Sequence, residues 1–186
     1  MEKKLNLMKK LKEVKKKKRL NNNKGFSLIE LLIVIAIMGV LAVIAFNMFG
    51  GVLTNSKKRA DDQQALVIQK ALLAYCVDSG DWKLNKCTSD AQGTTKITIT
   101  STDSLITAML KEMYVDGKSY GPMLAPKYPE DNDNTSARNV DAYTEPQWNQ
   151  TQYGTDAYQG FNVEIWPDDQ VVKVAPAKTL ANVTPH

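Results

Sequence analysis

Between Phe26 and Phe46 the chain runs through twenty-one residues with a single charge, Glu30. As a helix this stretch spans about 31 Å at ~1.5 Å per residue, the thickness of a hydrocarbon core of ~30 Å. That is too long for the buried helix of an ordinary soluble domain. Asn47, Gly50 and Gly51 follow, then Lys57-Lys58-Arg59 and a stretch to about Val77 in which Ala60, Val67, Ala71 and Tyr75 recur at helical spacing. No proline stands between Phe26 and Trp82. The expectation is one helix of about fifty residues, apolar at its start and amphipathic at its end. Gly39 and Gly50-Gly51 are its weak points, each costing about 1 kcal/mol against alanine.

Charge is distributed unevenly around this helix. Residues 1–25 hold eleven basic residues against Glu2 and Glu13, while residues 26–186 hold thirteen basic and eighteen acidic ones. A lysine-rich block can bind nucleic acid or anionic lipid. Here it carries no aromatic residue for base stacking and directly precedes an apolar span, so direct nucleic-acid binding is not expected. Dense Lys/Arg beside such a span holds that end on the cytoplasmic side. The tract ending in Asn21-Asn22-Asn23-Lys24-Gly25 reads as an address segment rather than as part of a core.

Glu30 needs its own explanation. A carboxylate five residues into an apolar span costs up to ~3 kcal/mol at mid-membrane depth. Neither a plain anchor nor a plain secretory signal needs it. A use for it is pairing with a positive charge inside an assembly, since two charges in a low-dielectric core are tolerable only together.

The run Gly25-Phe26-Ser27-Leu28-Ile29-Glu30, with the apolar stretch after it, resembles the start of type IV prepilins and of the pseudopilins of secretion and DNA-uptake systems. The resemblance covers about residues 24–60. It implies cleavage by a prepilin peptidase between Gly25 and Phe26, N-methylation of the new Phe26 terminus, and pairing of Glu30 with the Phe26 amine of a neighbouring subunit. Three features depart from the family's habit: a long lysine-rich leader, Ser27 where threonine is common, and no proline near the end of the apolar stretch.

Beyond Ser79 the texture changes to short elements. Lys96–Thr100 alternates like a strand, and Ser104–Tyr114 reads as a short helix with Ser101 to Ser104 as capping candidates. Residues 115–160 are rich in Asn, Asp, Gly, Pro and Tyr and read as long loops. Phe161–Trp166 and Gln170–Ala175 flank Pro167-Asp168-Asp169 as a hairpin, and the tail after Pro176 reads as loosely held. The expected fold is α+β, the long N-terminal helix packing its second half on a small antiparallel sheet of three or four strands. The expected divisions are a leader over 1–25, a membrane or filament-core helix over 26–52, and a headpiece over 53–186.

Few side chains suit catalysis. The one histidine, His186, stands last in the sequence, where fixed geometry is rare. No glycine-rich phosphate loop, serine–base pair or metal-spaced cysteine set is present, so neither an enzyme nor a cofactor is expected. Cys76 and Cys87, on the outer side of the span, read as a disulfide tying the helix end to the next loop, against the alternative of two unpaired buried thiols. The acidic run Glu130-Asp131-Asn132-Asp133-Asn134, near Asp141, matches no calcium loop and reads as solvated. Tyr143, Trp148, Tyr153 and Tyr158 read as packing loops onto the sheet.

The function these residues and the resemblance imply is structural: a type IV pilus subunit, anchored in the membrane and then extracellular. Its expected partners are copies of itself, the prepilin peptidase, and indirectly an assembly ATPase and a platform protein. Two alternatives stand beside it: a minor pilin or pseudopilin, and a membrane-anchored or secreted binding protein. Motility, adhesion and DNA uptake are not distinguished by these residues.

Overall fold

The computed structural model describes residues 6, 8, 10, 26–179 and 183–186. The chain divides into two compact units, Met1–Gly50 and Gly51–His186. Helix α1, Leu28–Ser79, is a single helix of 52 residues that passes Gly39, Gly50 and Gly51 without a break. It ends where Gly80, at φ +69°, donates its N–H to the Cys76 carbonyl at 3.0 Å, a left-handed cap that glycine adopts without strain.

In the first unit, the large apolar side chains of α1 from Leu28 to Phe49 are exposed. Nothing else in this unit covers them among the described residues. In the second unit one stripe is buried: Asp61, Ala65, Ile68, Leu72 and Tyr75, at alternating steps of four and three, with Cys76 beside Tyr75. This corrects the face expected from sequence. Of Ala60, Val67, Ala71 and Tyr75 only Tyr75 is fully buried, and Val67 is 46% exposed. Leu66, Val67, Leu73 and Val77 make the helix apolar on more than one side, so spacing alone does not select the inner face.

The remaining elements cover that stripe. Helix α2, Thr102–Met109, is capped by Ser101, whose hydroxyl accepts from the Ser104 N–H while the Ser104 hydroxyl accepts from the Ser101 N–H. Its inner residues Leu105, Ile106 and Met109 join the core, and the Thr102 hydroxyl donates to the Phe161 carbonyl at 2.7 Å. The cap is where the sequence places it, but the helix is shorter than expected. Met113–Val115 is strand β1, pairing antiparallel with β2, Lys118–Tyr120. The turn between them is Asp116-Gly117, both at positive φ, which matches strand twist in a two-residue hairpin.

Helices α3, Ala137–Thr144, and α4, Gln150–Tyr153, stand within the stretch read as loop. Asn139, fully buried, explains the order there. Its side chain accepts from the Tyr128 N–H at 2.8 Å and donates to the Tyr128 carbonyl at 3.1 Å, as a strand neighbour would.

Strands β3, Gly160–Trp166, and β4, Val171–Ala177, form the expected hairpin, with Trp166 opposite Val171 across the turn. Phe161, Val163 and Ile165 alternate into the core. The tail does not hang free: β5, Thr184–Pro185, runs parallel to β3, and Val183 is buried. The sheet order is β4-β3-β5, beside the separate β1-β2 pair. At the outer edge of β4, Val174 donates to the Gln69 side chain of α1 and Pro176 offers no N–H, which blunts edge-to-edge pairing. Lys96–Thr100 keeps the alternation read from sequence, with Ile97 and Ile99 packed on the core, yet forms only an isolated bridge from Lys96 to Thr88. The fold is α+β: a long apolar N-terminal helix and small sheets.

Candidate processing and assembly site

The start of α1 is a variant of the capping box in which the serine hydroxyl takes the second helical N–H rather than the third. Ser27 is the last non-helical residue, and its hydroxyl accepts from the Ile29 N–H at 3.4 Å. The Glu30 carboxylate reaches back and accepts from the Ser27 N–H at 3.0 Å, while the Leu31 N–H closes the first turn on the Ser27 carbonyl. Two orphan donors of the helix end are satisfied reciprocally, and the acid sits where the helix dipole favours it. Serine and threonine both serve this position, which removes the significance of the Ser27 departure. The sequence holds this signal as Ser27-Leu28-Ile29-Glu30, a pattern masked by the apolar run around it.

Phe26 precedes the cap, 90% exposed. Gly25 and all of the basic leader but residues 6, 8 and 10 lie outside the described residues. Glu30 uses one carboxylate oxygen on Ser27 and has no other partner among the described residues, so its second oxygen is open to a donor from elsewhere. Around it stand only exposed apolar side chains: Ile29, Leu31, Leu32, Ile33 and Val34 are each half exposed or more. The helix is long and apolar enough to cross a membrane, by length and composition.

Residues 20–46 match the family of the prokaryotic N-terminal methylation motif. The match supports the type IV pilin and pseudopilin superfamily through this N-terminal segment. The match covers the cap, Glu30 and the apolar span, and ends before the headpiece. Neither a curated protein nor a solved structure matches the chain. A prepilin-type start and an exposed apolar helix fit membrane anchoring before assembly.

In the headpiece of this pilin-like chain, Cys76 and Cys87 are both fully buried and both free thiols. The expected bond between them is absent from this structure. Cys76 points to the Asp81 carbonyl, and Cys87 to the carbonyls of Leu84 and Ile97. Burial, then the Asp81 charge, pushes the Cys76 thiol up to about 12 and raises Cys87 as well. Asp81 itself organises the loop between them, accepting from the N–H groups of Asn85 and Lys86 and from the Tyr75 hydroxyl.

The acidic run is likewise occupied internally. Asp131 accepts from the Ser136 hydroxyl and Asp133 from Thr135, whose hydrogen bonds hold the Asp133 carboxyl below its ordinary range. Among the described residues no group of three or more His, Cys, Asp or Glu is placed to hold a metal ion.

The aromatic residues pack differently from expectation. Tyr143 is buried and donates to the Ala125 carbonyl, but Trp148 and Tyr153 lie against α1 rather than the sheet. Asp61, missed in the sequence because an acid was not sought in a buried stripe, accepts from the N–H groups of Gln147 and Trp148 at 2.6 and 3.0 Å. Burial raises its carboxyl above the ordinary range.

Proposed function

We propose that the chain is a structural subunit of a type IV pilus: cut between Gly25 and Phe26 by a prepilin peptidase, N-methylated at Phe26, and assembled as a homopolymer through α1. The observation that carries this reading is the bare apolar helix from Leu28 onward, with a single carboxylate at Glu30, on a chain bearing the methylation motif. Such a surface needs lipid or copies of itself to cover it. Lipid covers the apolar side chains but leaves half of Glu30 unsatisfied. A neighbouring helix bearing a free Phe26 amine covers both, and two charges buried together are tolerable where one is not. Extrusion energy would come from a motor ATPase acting through a platform protein, as the resemblance implies.

The test is to shear cells gently and read the N-terminus of this protein in the filament fraction by mass spectrometry. A methylated Phe26 terminus, abundant there, is the expected result. The same terminus confined to membranes would make the chain a pseudopilin or minor subunit. A chain beginning at Met1 in every fraction would overturn the filament reading and leave an anchored or secreted binding protein.

A further inference from the structure

The exposed apolar surface of α1 does not stop at Phe46. Met48, Phe49, Val52 and Leu53 are each more than half exposed, so the apolar run extends from Phe26 to Leu53, twenty-eight residues. That is about 42 Å of helix against a hydrocarbon core of ~30 Å, an excess that tilt absorbs together with extension of the Phe26 end into the inner headgroups. Lys57 stands four residues beyond Leu53, about 6 Å along the helix, the first charge after the apolar run. No acidic residue occurs between Glu30 and Asp61, so the charge met on leaving the apolar run is Lys57-Lys58-Arg59 alone.

Within the headpiece unit, this level of α1 carries an aromatic rim. The Lys57 ammonium donates to the Tyr153 hydroxyl and lies 4.6 Å from its ring centroid. Lys58 lies 3.9 Å from the centroid of the Trp148 ring, and the Trp148 backbone N–H is held by the Asp61 carboxylate. Each ammonium keeps further donors for a phosphate. Arg59 is exposed and has no hydrogen bond or ion pair among the described residues. Asp61 is buried and bonded; the exposed acids nearest in sequence to these cations and to the aromatic rim are Asp62, Glu145 and Asp156. Tryptophan, tyrosine and basic side chains together are the composition of a membrane–water interface.

We propose that Lys57, Lys58 and Arg59, with Trp148 and Tyr153, form a docking surface for the anionic phospholipid headgroups of the outer leaflet, occupied while the subunit waits in the membrane. This rests on the membrane anchoring of the preceding subsection. The surface holds the headpiece at the bilayer and must be released before the subunit enters a polymer.

The test uses the full-length chain reconstituted in phosphatidylcholine vesicles with or without phosphatidylglycerol, in variants that keep one of Trp82, Trp148 and Trp166 and carry phenylalanine at the other two. Quenching by headgroup-attached nitroxide lipid reports contact. The expected result is strong quenching of Trp148 over Trp82 and Trp166 in anionic vesicles, weakened by salt. Arg59→Gln, which disturbs no protein contact, lowers the headgroup-bound population about fivefold, the value of one basic side chain at an anionic surface. Equal quenching of the three tryptophans in inserted protein overturns the docking proposal and leaves the anchor intact. So does shielding of Trp148 that grows with protein-to-lipid ratio, which would make the occupant a second copy of this chain. Failure to resist alkaline extraction overturns the anchor and the docking together.

Discussion

The backbone N–H of Ser27 donates to the carboxylate of Glu30 at 3.0 Å, so the charged residue of the apolar span also closes the helix that carries it. Glu30 is thus an acceptor for its own chain, a task separable from the proposed one, a charge for another. Glutamine performs the first as well as glutamate.

Glu30→Gln is therefore expected to keep the helix start intact while filament yield falls sharply. Ser27→Thr should change neither. Ser27→Ala removes the hydroxyl cap, costs about 1 kcal/mol, and should speed amide exchange at Ile29 about fivefold in detergent. Exchange measured on the three variants beside filament yield separates cap from charge. Normal assembly by Glu30→Gln would show that the charge is not what Glu30 contributes.

The thiols give a second expectation. Both are buried, and the shift of Cys76 to about 12 leaves almost no thiolate at neutral pH. Iodoacetamide should modify neither cysteine in the native protein and both after denaturation without reductant, read as two added groups by mass. A protein that resists alkylation when unfolded until a reductant is added would instead carry the bond expected from sequence.

What could be read in advance follows a physical division. The membrane-length run, the Ser101 cap and the hairpin about Pro167 rest on local patterns, and each stands where the sequence places it. The order within residues 115–160 rests on long-range polar partners. Asn139 stitches the chain at Tyr128, and Asp61 anchors a segment 86 residues later, contacts that leave no periodic trace. Asp116-Gly117 was legible as a hairpin turn but lay inside a stretch whose composition reads as loop. The capping task of Glu30 was legible too, as a serine three residues before an acid.

Asp61 supplies a dependence on pH. Its folded carboxyl titrates above the ordinary 3.8 because burial outweighs the two N–H bonds it accepts. The folded state therefore binds this proton more tightly than the unfolded state. The stabilisation is fully present below about pH 4 and is lost as pH rises through the folded value. Asp61→Asn removes this term and one of the two hydrogen bonds. Thermal midpoints measured from acid to neutral pH should show wild type losing ground to the variant across that window, then running parallel. A constant difference throughout would mean that Asp61 titrates alike in both states.

The inner face of α1 makes the last prediction. Leu72 is fully buried and Val67 is 46% exposed, although Val67 lies on the stripe that apolar spacing suggests. Leu72→Ala should cost about 2–5 kcal/mol through lost burial and the cavity left behind. For a unit of this size the unfolding midpoint should fall on the order of 10 °C. Val67→Ala should stay within about 0.5 kcal/mol, as surface changes do. Thermal unfolding of the two variants in the same detergent orders them directly. The reverse order would place the headpiece on the opposite side of the helix, and with it Asp61, Lys57 and Lys58 would lose the partners from which their roles are argued.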